Sequence, residues 1–259
     1  MNFSIIYWNI WLDNQIHGKQ KAKPLVEALD SLIETYDPDC FGLNEVLRQN
    51  SKQTPFVLDY LEKKGYEYSY YLASGPWTKE WNIGDAIVSK YPFTYTGGIV
   101  LGDHYTIDGR DPDGTQAQAA EAEILLKKNV SVRVIAAHLM NLRVHKLPTH
   151  FRHQKSLALH IANAPQDINL IAGGDFNEFK VMPFSFARKN RKYLHARTGV
   201  FPNMTWHKSA RKRALLRANP DKLFWSKNDL LRLTDFKVIP DFTSDHKPLY
   251  AKFSIRGSS

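Results

Sequence analysis

The sequence contains very little cysteine, because Cys40 is the only one among its 259 residues. An intrachain disulfide and a thiolate metal cage are therefore both excluded, so any metal must be held by oxygen or imidazole ligands. No apolar run approaches the roughly 18 residues that a membrane-spanning helix needs, and no internal repeat or low-complexity tract is present. These absences predict a globular protein without stable membrane insertion, and they favour a hard cation as its metal.

The chain is rich in apolar and basic residues. Apolar residues make up 43% and aromatic residues 12% of it, enough for a sizeable core, and 35 Lys and Arg against 26 Asp and Glu give a net charge of +9. Basic residues are concentrated between Arg188 and Arg217, where aromatic residues such as Trp206 are interleaved with them. Such a mixture can neutralise phosphates and stack on bases, and a solvated surface is the alternative interpretation. The charge therefore favours nucleic acid, DNA or RNA, as a partner.

Short β-branched and aromatic runs alternate with stretches of helical periodicity along the chain. The pattern predicts helices over 25–33, in the stretch ending at Gly65, and over 149–164. It predicts strands over 3–11, 40–45, 66–72, 83–89, 119–126, 131–139, 168–172, 222–225, 231–239 and 248–253. This order is accommodated by two sheets packed face to face with helices outside, in a single domain over 1–255 followed by a C-terminal tail over 256–259.

Acidic and amide residues recur where these strands end. Asn9 and Glu45 follow the first two strands, Asp175 and Asn177 follow the strand that ends in Gly-Gly-Asp, and Asp245 precedes the last strand. Each alone is compatible with a simple turn, since Asn and Asp bond to nearby backbone. Together they indicate a site, because converging carboxylates repel one another unless a cation or a proton lies among them.

Six short motifs, in this order, carry a resemblance to a known family. They are Tyr-Trp-Asn-Ile at 7–10, Asn-Glu-Val at 44–46, Ala-His-Leu at 137–139, Gly-Gly-Asp-Phe-Asn at 173–177, Asp-Lys-Leu-Phe at 221–224 and Ser-Asp-His-Lys-Pro at 244–248. The set resembles the endonuclease/exonuclease/phosphatase superfamily, which has the DNase I-like fold, and Gly-Asp-Phe-Asn with Ser-Asp-His is its most specific part. The stretch from Gly84 to Lys90 also resembles the central strand of that family.

The resemblance implies an α/β fold, namely a four-layer α/β sandwich of two packed mixed β-sheets flanked by helices. It also implies hydrolysis of phosphoester bonds with Mg²⁺ or Mn²⁺. By the same resemblance, the metal-binding residues are Glu45 as the chief ligand, Asn9 beside it, and Asp245. Few protein oxygens suit Mg²⁺, which keeps several waters and shares the phosphate of the substrate.

The resemblance further implies five catalytic residues. Asp175 would orient or deprotonate the attacking water, and Asn177 would donate to a phosphoryl oxygen. His246, held by Asp221, would contact the phosphate or assist the water, and His138 would stabilise the transition state or protonate the leaving oxygen.

The choice of phosphoester rests on weaker signals. Abasic-site enzymes of the family have a Lys shortly after the Glu and a Tyr at the position of His138, so that branch is disfavoured. The sequence predicts a nuclease or a DNA-end-processing enzyme similar to tyrosyl-DNA phosphodiesterases, with Trp206, Arg211, Lys212 and Arg213 binding substrate. The alternatives are a phosphatase or phospholipase C-type enzyme acting on an inositol phosphate or a sphingomyelin-like substrate, and a catalytically inactive binding module.

The sequence begins without a basic and apolar leader. We therefore expect a cytoplasmic protein, with secretion and a nuclear location left open, and we expect a monomer.

Overall fold

The computed structural model describes residues 1–10, 19–103, 116–139, 147–165, 167–177, 186, 192, 194–198, 221–240, 244 and 246–256. Over these residues the chain forms three helices and twelve strands. The helices are α1 (Lys19–Tyr36), α2 (Phe56–Glu62) and α3 (Leu147–Asn163). The strands are β1 (Asn2–Asn9), β2 (Cys40–Gln49), β3 (Tyr68–Pro76), β4 (Trp81–Ser89), β5 (Phe93–Asp103), β6 (Gln116–Lys127), β7 (Val130–Ala136), β8 (Leu170–Asp175), β9 (Leu194–Thr198), β10 (Asp221–Ser226), β11 (Leu231–Val238) and β12 (Leu249–Ile255).

The first sheet has six strands in the order β11-β12-β1-β2-β4-β3. Its central pair, β1 and β2, is parallel, with Asn9 beside Asn44, and the other pairs are antiparallel. A β-bulge interrupts β2 between Leu43 and Val46, so that Asn44 and Glu45 together lie opposite one residue of β4. The two polar residues that end the apolar part of β2 are thus placed at the same edge as the end of β1.

The second sheet also has six strands, in the order β5-β6-β7-β8-β10-β9. Its parallel pair is β7 and β8, with Ala136 beside Gly173, and the remaining pairs are antiparallel. Asp221, the first residue of β10, pairs with Asp175, the last residue of β8. The carboxyl ends of the two parallel strands of each sheet therefore lie at the same end of the sandwich, which we call the shared edge, and polar side chains can meet there.

Three apolar clusters define the layers. One lies between the sheets, a second packs α1 and α2 against the first sheet, and the third packs α3 against the second sheet. Apolar residues at helical spacing, such as Leu25, Leu29 and Leu32 of α1, make the inner face of each helix. The predicted four-layer sandwich of two mixed sheets is therefore confirmed.

Tyr7 of β1 fills the space between the sheets near their shared edge. It is 1% exposed, and its hydroxyl donates to the carbonyl oxygen of Ile171 at 3.1 Å. Two glycines flank its ring, one in each sheet. A β-carbon at Gly42 or at Gly173 would lie 2.4 Å from the ring, so both positions must be glycine for the sheets to close around Tyr7.

Two strands of the second sheet, β5 and β9, were not predicted from the sequence. The predicted helix over 149–164 corresponds to α3, and the predicted strand over 83–89 begins two residues earlier, at Trp81. Across the described part of the chain, the helices are too short or too polar for any of them to cross a membrane.

Candidate active site

The predicted metal and catalytic residues that the structure describes lie together at the edge shared by the two sheets. Asn9 ends β1 and Glu45 lies in the bulge of β2, whereas Asp175 ends β8 and Asp221 begins β10. His138, Asn177 and His246 lie in the segments that directly follow β7, follow β8 and precede β12. Asp245, also predicted, lies outside the described residues.

Asn9 joins the two sheets through a single amide nitrogen. Its Nδ2 donates to Oε1 of Glu45 at 3.0 Å and to Oδ2 of Asp175 at 3.1 Å. Glu45 adopts a φ of 56°, in the left-handed region that non-glycine residues rarely occupy. This backbone conformation accompanies the bulge, and it brings the Glu45 carboxylate to the same amide that Asp175 reaches from the other sheet.

Asp175 is the most enclosed carboxylate of this group. Its side chain is 3% exposed, and its Oδ1 accepts a hydrogen bond from the backbone N–H of Asn177 at 2.8 Å. The Asn177 side chain in turn donates to the carbonyl oxygen of Leu139 at 2.7 Å, and its φ is 47°. The first bond closes the turn after β8, and the second ties this turn to the segment after β7. Together they fix the Asp175 carboxylate at the site and hold Asn177 beside it.

His138 lies between the acidic groups of both sheets. Its Nε2 is 3.8 Å from Oε1 of Glu45 and 3.7 Å from Oδ2 of Asp175. Burial alone would lower the pKa of His138, but the carboxylates of Asp175, Glu45 and Asp85 outweigh this effect and raise it. The imidazole is therefore biased toward its protonated, proton-donating form when no cation occupies the site.

Asp221 and His246 form a buried pair. Nδ1 of His246 is 2.9 Å and 3.0 Å from the two carboxylate oxygens of Asp221, and its Nε2 is 3.6 Å from Oδ2 of Asp175. A carboxylate at Nδ1 selects one tautomer and turns Nε2 toward the site. The predicted pairing of Asp221 with His246 is therefore present.

The segment that carries His246 is anchored to β1. The hydroxyl of Ser244 donates to the carbonyl oxygen of Asn9 at 2.7 Å and accepts the backbone N–H of His246 at 3.1 Å. The indole N–H of Trp8 donates to the carbonyl oxygen of His246 at 3.1 Å. These bonds give Ser244 and Trp8 a structural role, which is to hold the backbone of His246 against the end of β1.

Two buried residues at the site were missed from the sequence. Nδ2 of Asn44 donates to Oδ1 of Asp85 at 2.8 Å. Oδ1 of Asn44 accepts a hydrogen bond from the backbone N–H of Asp175 at 3.0 Å. The Asn-Glu pair at 44–45 and the Gly-Asp pair at 84–85 were visible as motifs, but their pairing depends on the register of β2 and β4. A polar residue inside an otherwise apolar strand was the only available signal.

The donor set fits a divalent cation. Ligand atoms of Glu45, His138 and Asp175 lie within 4.8 Å of one another, and so do those of Asp175, Asp221 and His246. Carboxylates this close repel one another, and a cation relieves the repulsion. Carboxylate oxygens and imidazole nitrogens without thiolate can hold a divalent cation. The predicted substrate-binding residues Trp206, Arg211, Lys212 and Arg213 lie outside the described residues.

Comparison with known proteins places this site in a family. A model of the Endonuclease/Exonuclease/phosphatase family matches residues 6–246. No curated protein sequence matches the chain.

Solved structures share the fold. The human Nocturnin catalytic domain with bound sulfate superposes with a TM-score of 0.72 at 20% identity, covering 98% of this chain and 94% of that chain. TDP2 from D. rerio, complexed with single strand DNA product, gives 0.66 at 15% identity, with 98% and 99% covered. ANGEL2, a 2′,3′-cyclic phosphatase, gives 0.70 at 15% identity, with 98% and 95% covered.

At these sequence identities the similar structures show the fold alone. The family match, over residues 6–246, also includes the site residues Asn9, Glu45, Asp175 and His246. The chain therefore belongs to the endonuclease/exonuclease/phosphatase family, whose members are hydrolases of phosphoester bonds.

Proposed function

We propose that this protein is a divalent-metal-dependent phosphodiesterase that acts on nucleic acid, as a nuclease or as an enzyme that processes DNA ends. The observation that carries the proposal is the convergence on one oxygen. Oδ2 of Asp175 lies 3.1 Å from Nδ2 of Asn9, 3.7 Å from Nε2 of His138 and 3.6 Å from Nε2 of His246. A carboxylate surrounded by an amide and two imidazoles suits the activation of water beside a phosphate.

Glu45 and Asn9 are the residues that would hold Mg²⁺ or Mn²⁺, together with Asp245, which lies outside the described residues. When bound, the ion would neutralise charge on the phosphoryl oxygens and lower the barrier to attack. Asn9 lies beside the chief ligand, with its Nδ2 directed to the carboxylates of Glu45 and Asp175, and its amide would turn its oxygen toward the ion in order to bind it.

Asp175 would accept a proton from the attacking water as the water oxygen bonds to phosphorus. The Asn177 amide, placed by the closed turn after β8, would donate to a non-bridging oxygen, where negative charge develops. His246, kept in one tautomer by Asp221, would present Nε2 to the phosphate. Donors fixed before the reaction contribute most, because they need no reorganisation in the transition state.

His138 would serve the leaving group. As the bond from phosphorus to the leaving oxygen breaks, that oxygen takes up a negative charge and needs a proton. The acidic neighbours Asp175, Glu45 and Asp85 raise the pKa of His138, and a protonated imidazole at this position would supply that proton as a general acid.

Nucleic acid as the substrate is supported by charge. The net charge of +9 is concentrated in a segment with Arg211, Lys212 and Arg213, outside the described residues. Among proteins of the same fold, TDP2 is recorded with a single strand DNA product, and ANGEL2 as a 2′,3′-cyclic phosphatase. A polyanionic substrate explains such a concentration of basic residues in the sequence better than a small phosphoester does.

A substrate panel tests the proposal. Purified protein with Mg²⁺ or Mn²⁺ is incubated with plasmid, single-stranded DNA, RNA, a 5′-tyrosyl oligonucleotide, a 2′,3′-cyclic nucleotide and sphingomyelin, with EDTA as a control. We expect cleavage of a nucleic acid substrate that EDTA abolishes. The variant His246→Ala should lose it, whereas His160→Ala, on α3 with Glu121 as the partner of its imidazole, should keep it. Activity on sphingomyelin alone, or retained by His246→Ala, would refute the proposal.

The basic segment is tested separately. Replacing Arg211, Lys212 and Arg213 with Ala should weaken binding of nucleic acid and reduce the dependence of binding on salt. Each lost phosphate contact means that fewer counterions are released when the nucleic acid binds. Hydrolysis of a small phosphodiester should change little. A salt dependence equal to that of the wild type would contradict this role.

A further inference from the structure

Asp85 is a buried carboxylate of β4 that lies directly beneath the site. It is 1% exposed. Its Oδ1 accepts a hydrogen bond from Nδ2 of Asn44 at 2.8 Å, and its carboxylate also lies beside the backbone N–H of His138, whereas Oδ2 makes no well-formed hydrogen bond within the described residues. Burying a carboxylate with an unsatisfied oxygen costs free energy, so we expect a functional reason for the carboxylate at this position.

The backbone of Asp85 is fixed by both neighbouring strands. On one side, the bulge of β2 sets Asn44 and Glu45 opposite Asp85 alone, because Leu43 pairs with Ala86 and Val46 with Gly84. On the other side, β3 approaches so closely that a β-carbon at Gly84 would lie 2.0 Å from the carbonyl oxygen of Leu72. The carboxylate is therefore held in place beside the bulge.

The bond from Asn44 to Asp85 decides which end of the Asn44 amide faces the second sheet. With Nδ2 directed to Asp85, the amide oxygen accepts the backbone N–H of Asp175 at 3.0 Å. In the opposite orientation, Nδ2 of Asn44 would face the backbone N–H of Asp175, and both of these groups are donors. The second sheet makes room for this oxygen at Gly174, where φ is 127° and a β-carbon would lie 2.5 Å from it.

We propose that Asp85 is a positioning residue of the site, which fixes the orientation of the Asn44 amide and thereby the place of Asp175 relative to the first sheet. The inference rests on the proposed function, in which Asp175 activates water. Asp85 itself touches no reacting atom. Its positioning effect reaches Asp175 through a chain of two hydrogen bonds that crosses from β4 through β2 to the end of β8, and its charge also acts directly on His138.

Two variants separate this role from a purely structural one. Asp85→Ala removes the acceptor for Asn44, whereas Asp85→Asn keeps an oxygen acceptor of the same shape. Val88→Ala is the matched control, because Val88 is fully buried in the same strand but packs toward the helices of the first sheet. All three are compared with the wild type in the full-length protein.

The first measurement is hydrogen exchange at the backbone amide of Asp175, followed by NMR under conditions where every variant is folded. In Asp85→Ala we expect this amide to exchange at least about tenfold faster, since it loses an oriented acceptor. In Asp85→Asn and Val88→Ala its rate should stay near that of the wild type. If Asp85→Ala fails to fold, Asp85→Val, which suits a strand and has similar volume, gives the same test.

The second measurement is steady-state kinetics with a small phosphodiester in Mn²⁺. Asp85→Ala should lower kcat by about 10-fold to 100-fold with KM nearly unchanged, because a catalytic group displaced by about 1 Å loses rate rather than binding. Asp85→Asn should restore most of kcat, because it keeps the acceptor for Asn44 although it removes one of the three carboxylates that raise the pKa of His138. Val88→Ala should keep kcat even where its melting temperature falls.

The proposal is overturned if the Asp175 amide is equally protected in Asp85→Ala, or if Asp85→Asn behaves like Asp85→Ala. It is also overturned if Val88→Ala loses kcat to the same extent, which would indicate general destabilisation. A wild-type protein that hydrolyses no phosphoester would instead refute the proposed function, and the exchange rates alone would then decide whether Asp85 positions Asp175.

Discussion

Replacing Asp85 with Asn should stabilise the protein at and above neutral pH. Burial raises the pKa of Asp85 from the usual 3.8 to about 7, against opposing interactions with His138 and Asn44. The folded chain therefore binds this proton more tightly than the unfolded chain does. Between pH 3.8 and about pH 7 the folded chain keeps this proton, whereas the unfolded chain has lost it. The free energy of unfolding therefore falls as pH rises through this range, and the loss is complete above about pH 7.

The size of the effect follows from the two pKa values. One pKa unit corresponds to about 1.4 kcal/mol, so the charged Asp85 costs up to about 4 kcal/mol above pH 7. Asparagine carries no charge and can still accept the hydrogen bond that Asn44 donates to Oδ1 of Asp85. We therefore expect Asp85→Asn to exceed the wild type in free energy of unfolding by about 2 to 4 kcal/mol at pH 8, and to match it near pH 4.

Urea denaturation followed by tryptophan fluorescence, at intervals from pH 4.5 to pH 8.5, measures this difference. EDTA is present throughout, so that no cation shifts the pKa values of the carboxylates. Asp229→Asn is the control, because it makes the same Asp-to-Asn change at an exposed position, in the turn between β10 and β11. If the gain from Asp85→Asn is independent of pH, or is absent at pH 8, Asp85 does not carry a buried charge and the reasoning is wrong.

Three further predictions concern the site and its support. Gly173→Ala should lower the free energy of unfolding by about 1 to 3 kcal/mol in urea, because its β-carbon would overlap the ring of Tyr7, and an unchanged value would mean that the ring can move. Asp221→Asn should reduce kcat by about 10²-fold or more with little change in KM, since His246 loses the carboxylate that selects its tautomer. Glu45→Gln should weaken Mn²⁺ binding by about tenfold or more in calorimetry, and equal affinity would remove Glu45 from the metal site.

The sequence was sufficient for the layered fold because its apolar strands are short and end in polar residues. A strand such as β8, with the sequence Leu-Ile-Ala-Gly-Gly-Asp, has an apolar run that marks its buried part and an acid that marks its end. The same logic located Asn9 and Glu45, whereas Asp221 was assigned through the family resemblance, and all four residues meet at one edge. Two strands escaped detection, β5 and β9. A strand at the edge of a sheet needs fewer apolar residues, and both of these are edge strands.

The roles of Asn44 and Asp85 could not be predicted from the sequence. The two residues are 41 positions apart, and their contact exists only because a bulge shifts the register of β2 against β4. A one-residue shift reverses which side chains face the core, and nothing local in either strand specifies it. Polar residues at the ends of apolar strands therefore identified a site, while the partners of each residue depended on tertiary structure.

The bulge itself links stability to chemistry. A regular strand would direct the side chains of Asn44 and Glu45 to opposite faces of the sheet, whereas the bulge, with Glu45 at a φ of 56°, lets both reach groups at the shared edge. A non-glycine residue in this conformation costs about 1 to 3 kcal/mol. The hydrogen bonds from Asn9 to Glu45 and from Asn44 to Asp85 each contribute about 1 kcal/mol and can offset that cost. It follows that β4, which supplies none of the proposed metal ligands, helps to maintain the conformation that the ligand Glu45 requires.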